Sequence, residues 1–340
     1  MKTIRLGKTG LEVSRIGFGG IPIQRLAEDE AIKVVQRCLD LGITFLDTAN
    51  GYSTSEERIG KAIAGRREQV VIATKTAARD RATAQEHLEL SLKRLDTDYI
   101  DLWQFHNVST FEAYEQVLAH NGAMEAAQEA LRAGKIRHIG LSSHSMDIAL
   151  KAVPSGHFET IQFPFNFVTD EAATELIPLT QEHDVGFIAM KPLAGGLLDN
   201  AVLAIKYLLK FDHIVPDPGI ERIEEIEEIV GIVQGAWELT SQEQREIKRI
   251  RAQVGTRFCR RCGYCQPCPQ GVSIVLIMVL RSFCKRLPAE RLFTGWIAEA
   301  VESAENCIEC GECEEKCPYH LPIREMIVEN VEFYESVASS

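Results

Sequence analysis

Nine of the ten cysteines fall between Cys259 and Cys317, and the tenth, Cys38, stands alone in the first 258 residues of a 340-residue chain. Residues 259–269 read Cys-Arg-Arg-Cys-Gly-Tyr-Cys-Gln-Pro-Cys-Pro, and residues 307–318 read Cys-Ile-Glu-Cys-Gly-Glu-Cys-Glu-Glu-Lys-Cys-Pro. The second is the C-x2-C-x2-C-x3-C-P run that ligates a [4Fe–4S] cluster, and the first differs only by one residue fewer before its last cysteine. Zinc is the alternative, but zinc sites pair two C-x2-C knuckles and have no use for a third cysteine at the same pitch. A cubane needs it, because three thiolates must reach three iron corners from one tight loop. Cys259, Cys262, Cys265, Cys268, Cys307, Cys310, Cys313 and Cys317 are therefore expected to hold two [4Fe–4S] clusters. In two-cluster ferredoxins the fourth cysteine of each run serves the other cluster. That pattern groups Cys259, Cys262 and Cys265 with Cys317, and Cys307, Cys310 and Cys313 with Cys268. Cys38 and Cys284 lie in apolar helical patterns and read as buried thiols.

A second set of reactive groups lies far from the cysteines. Asp47 follows Phe45-Leu46, Tyr52 comes five residues later, Lys75 closes Val70–Lys75, and His106 follows Asp101–Phe105. Each has an ordinary reading: a turn cap, a rim aromatic, a solvated strand end, a structural histidine. Together they could protonate an oxygen. A phenol titrates near 10, too high for an efficient donor at neutral pH. A lysine ammonium beside it lowers that value. An aspartate keeps the lysine charged and fixed, and a histidine can orient a substrate carbonyl.

Such a set converges only if the elements bring it together. Strand patterns occur at Arg15–Gly20, Thr44–Asp47, Val70–Lys75, Tyr99–His106, Ile136–Ser142, Thr160–Phe163, Gly186–Lys191 and His213–Pro216. Helical periodicity marks Glu28–Leu41, Gln85–Leu95, Phe111–Ala133, Met146–Val153, Ala173–His183, Ala201–Leu209 and Arg222–Val233. Eight βα units predict an α/β fold of the (β/α)8 TIM-barrel type, with chemistry at the C-terminal strand ends. A doubly wound sheet is the runner-up, but Gly17-Phe-Gly-Gly20 lacks the phosphate-turn spacing such a sheet opens with. The cysteine-rich part, with helix patterns at Ile274–Lys285 and Ala289–Ala304, predicts a mainly α-helical ferredoxin-like domain. The expected division is 1–254 and 255–340.

Composition narrows the partners. Hydrophobic residues make up 45% of the chain and charged residues 25%, an ordinary globular mix. A net charge of −12 argues against nucleic acid. The longest apolar run near the end, Ile274 to Leu280, falls well short of the ~20 residues of a membrane span. Residues 1–10 have no apolar core of a signal peptide. A cytoplasmic location, where thiols stay reduced, is expected.

The segments LDTANGYSTSEERIGKAI, VVIATK, LKRLDTDYIDLWQFHNV, ALRAGKIRHIGLSSHS and AMKPLAGG resemble the aldo-keto reductase superfamily over nearly all of residues 1–235. The resemblance implies a (β/α)8 barrel that binds NAD(P)H across its C-terminal rim. It places the family's catalytic tetrad on Asp47, Tyr52, Lys75 and His106. It implies cofactor contacts at Gly20, at Ser142, Ser143 and Gln162 near the nicotinamide carboxamide, and at the Lys191, Pro192, Leu193 and Gly195 loop. Two positions depart from the pattern: Ser143 stands where many members have Asn, and Lys191 where many stack an aromatic ring. Near the adenosine end, Arg222 either grips a 2′-phosphate or pairs with Glu225 one turn on. NADP(H) is the expected cofactor, with NAD(H) as the alternative. The chain resembles a subfamily with a C-terminal two-cluster tail.

The function expected is therefore NAD(P)H-linked reduction of a small-molecule carbonyl substrate. Four roles stay open for the clusters: electron exchange with a redox partner protein, direct action on substrate, sensing of redox state, or simply holding the tail in place. The competing class is an electron-transfer or redox-regulatory protein on a catalytically idle barrel.

Overall fold

The structure is a computed structural model and describes residues 1–255 and 257–338. The chain divides into two compact units, Met1–Leu239 and a second from Thr240 onward. The break comes earlier than the expected 254/255, so the helix Ser241–Val254 belongs to the second unit. A capping box explains the new start. The Thr240 hydroxyl accepts from the Glu243 N–H (3.2 Å) and the Glu243 carboxylate accepts from the Thr240 N–H (2.8 Å). That Thr-x-x-Glu pattern is readable in the sequence.

In the first unit, eight parallel strands follow one another around a single sheet: β1 (Phe18–Gly19), β2 (Phe45–Asp47), β3 (Val71–Thr76), β4 (Ile100–Phe105), β5 (Ile136–Ser142), β6 (Thr160–Pro164), β7 (Gly186–Met190) and β8 (Ile214–Asp217). The sheet closes through a parallel bridge, Gly19 to Gly219, reinforced by Gly17 N–H to the Pro216 carbonyl (2.8 Å) and Gly19 N–H to the Pro218 carbonyl (2.8 Å). Glycine is required here, since a Cβ on Gly19 would come within 2.9 Å of the Pro218 carbonyl oxygen. The strands are covered on both faces and read as apolar runs rather than alternating ones. Phe45, Leu46, Ile100, Leu102, Phe105, Phe187 and Ile188 are all fully buried. The fold is thus the expected (β/α)8 barrel. An antiparallel pair, Thr3–Arg5 with Glu12–Ser14, precedes it. Leu6 and Val13 from this segment form one apolar cluster with Phe45, Ala73, Leu102, Ile188 and Val215 of the strands.

Local structure departs from the sequence expectation mainly where glycine interrupts periodicity. Phe111–Ala133 is two helices, Phe111–Leu118 and Ala123–Arg132, broken at Gly122. There a Cβ would lie 2.5 Å from the Gln116 carbonyl oxygen. In the second unit, Ile274–Lys285 is split without a glycine, into Ile274–Ile277 and Leu280–Arg286. Ala289–Ala304 breaks at Gly295, whose φ is +59°. The longest element of that unit, the helix Ile323–Ala338, was not foreseen. It contributes Ile323, Met326, Ile327 and Tyr334 to a core shared with Ile277, Leu280, Phe283 and Ile297. The second unit is therefore helical, as expected of it.

Candidate active site and cluster-binding site

Asp47 ends β2, Lys75 lies one residue from the end of β3, and His106 follows β4, so three adjacent parallel strands deliver three of the four groups to one rim. Tyr52 arrives on the loop after β2. That loop is strapped to β3 by the Thr48 N–H to the Ala73 carbonyl (2.8 Å) and the Asn50 N–H to the Lys75 carbonyl (3.0 Å). Its far end is held by a buried chain in which the Thr48 hydroxyl donates to Ser55 Oγ (2.9 Å) and Ser55 Oγ donates to the Gly20 carbonyl (2.8 Å). A Cβ on Gly20 would sit 2.8 Å from Ser55 Oγ and 2.9 Å from the Asp47 carbonyl oxygen, so packing alone already requires glycine there.

Lys75 is 2% exposed and Asp47 3%. Lys75 Nζ donates to Asp47 Oδ2 at 2.5 Å and to the Thr48 carbonyl at 2.7 Å, and lies 5.3 Å from the Tyr52 ring centroid. The Tyr52 and His106 rings meet edge to face, 5.7 Å apart. Burial works against the Lys75 charge, but Asp47, then Tyr52 and Asp217, outweigh it and raise its pKa above the ordinary lysine value. The ammonium therefore stays charged beside the phenol, which is what a tyrosine acid needs. Gln104 Nε2 donates to Asp47 Oδ1 at 3.3 Å and completes the aspartate's fixation.

The residues expected at a cofactor contact separate into groups. Ser142 and Gln162 are register partners on β5 and β6. Ser142 Oγ accepts from the Asn107 N–H (2.8 Å), and the Ser143 N–H donates to the Gln162 carbonyl (3.0 Å). Ser143 Oγ donates to the Ser145 carbonyl (3.3 Å), so its side chain is engaged in its own turn. Gln162 is buried, its Nε2 donates to Asp217 Oδ2 (3.1 Å), and its Oε1 has no hydrogen-bond partner among the described residues. A buried carbonyl oxygen without a donor is costly unless a ligand supplies one, and a carboxamide N–H would. This orphaned acceptor is the observation that fits a nicotinamide. Lys191, Pro192, Leu193 and Gly195 form the loop after β7. Lys191, Ala194 and Gly195 have φ of +58°, +51° and +70°, and Asn166 Nδ2 donates to the Lys191 carbonyl (3.0 Å). Lys191 Nζ lies 2.5 Å from His144 Nε2. Arg222 pairs with Glu225 at 2.9 Å on the exposed start of the helix Ile223–Gln234. The ion pair expected as one of its two readings is present. A second guanidinium, Arg25, grips Glu221 at 2.6 Å and was not foreseen.

Asp217 was missed as well. The eighth strand was read as ending at Pro216, and β8 runs one residue further, placing Asp217 at a strand's C-terminal end. The same signal that marked Asp47 would have marked it.

The second unit carries its own site. Both cysteine runs have the same backbone: Arg261 and Gly263 have φ of +63° and +85°, and Glu309 and Gly311 have +56° and +82°. These are the second and fourth residues after Cys259 and after Cys307. Two such loops surround two hollows. One, of about 330 Å³, is lined by Cys259, Cys262, Cys265 and Cys317 with Met278, Tyr319 and Leu321. The other, of about 400 Å³, is lined by Cys268, Cys307, Cys310 and Cys313, with Cys265 between the two, and with Ile274 and Ile327. Each hollow thus takes the last cysteine of the opposite run. Among the described residues no group of three or more His, Cys, Asp or Glu side chains converges on a single-ion position. The donor set is instead four thiols spread around a body, with apolar lining and an Arg261 N–H to Cys259 Sγ contact at 3.4 Å. That set fits a cubane. Burial pushes the Cys259 thiol up to about 11 and Cys265 to about 12, so iron must displace protons to bind. Cys38 is fully buried in the barrel, as expected, its thiol pushed up to about 12, whereas Cys284 is only half-buried, packed against the outside of the helical core rather than within it.

Comparison with known proteins agrees with this geometry. Residues 15–203 match the model of the Aldo/keto reductase family, and residues 258–322 match a 4Fe-4S dicluster domain. The chain is 36% identical over 219 residues to the aldo-keto reductase YhdN of Bacillus subtilis, covering 58% of this chain and 64% of that one. It is 34% identical over 216 residues to L-galactose dehydrogenase of Arabidopsis thaliana, covering 57% and 66%. The matches thus span just under two thirds of these relatives. Among solved structures, the holo form of aldo-keto reductase AKR11C1 from Bacillus halodurans superposes with a TM-score of 0.64 at 28% identity, over 74% of this chain and 96% of that one. An aldo-keto reductase of Klebsiella pneumoniae solved with NADPH gives 0.63 at 24% identity, over 73% and 94%, a likeness of fold. The match over residues 15–203 takes in more than half of the chain together with all four rim groups, and the chain belongs to the aldo/keto reductase family, with a 4Fe-4S dicluster domain beyond its barrel.

Proposed function

We propose that this protein is an NAD(P)H-linked reductase of small carbonyl compounds, NADP(H) being the preferred dinucleotide, and that its tail holds two [4Fe–4S] clusters. The observation that carries the first part is the buried Asp47–Lys75 pair with its ammonium 5.3 Å from the Tyr52 ring centroid. The dinucleotide, when bound, supplies hydride to the carbonyl carbon. The chain's own residues do the rest. Tyr52 delivers its phenolic proton to the carbonyl oxygen. Lys75 stabilises the phenolate left behind, and Asp47 with Gln104 holds Lys75 in place and charged. His106, edge-on to Tyr52, orients the substrate oxygen. Gln162 Oε1 would accept from the carboxamide N–H of the dinucleotide.

The eight thiols would hold the clusters in the two hollows, with Cys317 and Cys268 crossing between runs. The clusters supply one-electron capacity, which we assign to exchange with a redox partner protein or with substrate. A reducing cytoplasm, which keeps such thiols unpaired, suits this site. Among the described residues no helix is long and apolar enough to cross a membrane, and the net charge of −12 disfavours nucleic acid. An idle barrel serving only electron transfer has no use for a buried lysine held beside Tyr52, so the enzyme reading is preferred.

The test is NAD(P)H oxidation with a panel of aldehydes and quinones. Tyr52→Phe is expected to cut turnover by ~10²–10⁴-fold, the range for an acid–base group, with dinucleotide affinity changed little. Full activity in Tyr52→Phe would remove the proton-donor role.

A further inference from the structure

The tetrad does not account for every buried ionisable group at its end of the barrel. Asp217, at the end of β8, is 6% exposed. Its Oδ2 accepts from Gln162 Nε2 at 3.1 Å on β6, and its Oδ1 finds no donor among the described residues. The Asp47 carboxyl of β2 lies within hydrogen-bonding reach of it, and Lys75 of β3 acts on it electrostatically. Gly17, just before β1, borders it: a Cβ there would lie in ordinary contact, 3.5 Å, with Asp217 Oδ1. Its register partner on β7, Met190, is apolar. Two carboxyl groups therefore share one buried lysine. With both ionised the cluster carries a net negative charge away from water, which burial penalises heavily. With one protonated it is neutral, and the orphaned Oδ1 becomes a donor to Asp47.

We infer that Asp217 is a positioning residue that acts as a neutral carboxylic acid, donating to Asp47 through Oδ1 and accepting from Gln162 at Oδ2, and so fixes the proton-delivering and nicotinamide-holding halves of the site to each other. Burial, then the Asp47 carboxylate, hold its pKa well above the ordinary carboxylate value, against the pull of Lys75. Lys75 remains charged, paired by Asp47. The Gln162 amide is turned so that Nε2 is spent on Asp217 and Oε1 is left for a carboxamide. The inference rests on the reductase reading for its catalytic consequence, but its protonation can be tested without any turnover.

A neutral Asp217 has a sign that stability measurements can read. Its folded pKa lies above the unfolded value near 3.9. The stability it contributes is therefore full below that value and is lost as pH rises toward the folded one. Asp217→Asn keeps the shape, a donor and an acceptor, and cannot ionise. The ratio of the wild-type folding constant to that of Asp217→Asn should then fall by about tenfold per pH unit from above pH ~4 until the folded pKa is reached. This is measured by denaturant unfolding of the protein without dinucleotide. A ratio independent of pH would mean an Asp217 ionised like any other, and would overturn the proposal. The second arm is functional. Asp217→Leu strands Gln162 Nε2 and should weaken NADPH binding, followed by quenching of protein fluorescence, and kcat/KM by about 10- to 100-fold, the cost of one buried polar group left unpaired. Asp217→Asn should recover at least tenfold of a hundredfold loss. If Asn lost as much as Leu, the charge would be the functional feature and the neutral acid would be wrong. Loss of kcat by Tyr52→Phe tests the reductase reading separately.

Discussion

The two sites of this chain are assembled by opposite means. The barrel site draws Asp47, Tyr52, Lys75 and His106 from elements spread over 60 residues, and Asp217 from beyond position 200. No short segment contains it, and strand register alone brings it together. Its charges are stable because the surroundings are dry and rigid and each is answered by a neighbour. The cluster site is written locally. Each run of about ten residues carries its proposed ligands and its own left-handed backbone positions at the same offsets. What it needs from elsewhere is one cysteine of the opposite run. A site of the first kind should survive loss of its ligand, because the sheet holds it. A site of the second kind should not, because the loops around it have few other partners.

The sharpest break in this comparison is removal of iron. The anaerobically purified protein is expected to contain about eight iron and eight sulfide per chain. Chelating them should collapse the cysteine loops, since metal binding in such domains is also folding energy. Circular dichroism should lose helix from the second unit, while dinucleotide binding by the barrel is retained. Stoichiometric zinc without labile sulfide would refute the cluster assignment. If helix content were unchanged on chelation, the helical core around Ile277, Phe283 and Met326 would be holding the loops unaided.

A smaller effect sharpens the point. Cys317 belongs by sequence to the second run but lines the same hollow as Cys259, Cys262 and Cys265. Cys317→Ser should damage one cluster of two, and it should be the cluster of the untouched run. Electron paramagnetic resonance of Cys317→Ser and Cys268→Ser, reduced separately, should show two different centres altered, with a three-iron signal an acceptable outcome for either. If each substitution altered the centre of its own run, crossover would have to be dropped.

Legibility in the sequence follows the same division. The cysteine spacing was readable because the constraint is local, and the strands carrying Asp47, Lys75 and His106 were readable because a buried parallel strand is a run of apolar residues. Element ends were harder. Reading β8 as closing at Pro216 left Asp217 in a loop. Phe111–Ala133 looked continuous because periodicity does not register the carbonyl oxygens that crowd Gly122. The helix Ile323–Ala338 is legible in hindsight, since Ile323, Met326, Ile327 and Tyr334 fall on one face at helical spacing. The Arg25–Glu221 pair joins residues 196 apart, and no local pattern could have revealed it.

The smallest expected effect concerns the choice of dinucleotide. Arg222 is 68% exposed at its side chain and bound to Glu225 at 2.9 Å, while Arg25 is bound to Glu221. If a 2′-phosphate is read at this end, it must take Arg222 away from Glu225, and the acidic neighbours Glu221 and Glu224 raise the cost of bringing a dianion near. An exposed, solvent-screened pair of this kind is weak, so the competition is mild and the preference for NADPH over NADH should be modest. Arg222→Ala removes the cation and should lower kcat/KM for NADPH by up to about tenfold, leaving NADH nearly unaffected. Glu225→Gln frees the guanidinium and should move the ratio the other way. Both shifts should shrink as salt is raised from 10 mM to 0.5 M, because the groups are in water and screened. A ratio that neither substitution moves would take Arg222 out of cofactor recognition and leave it as a helix-start ion pair, and the sensing of the 2′ position would have to be sought on the loop Lys191–Gly195.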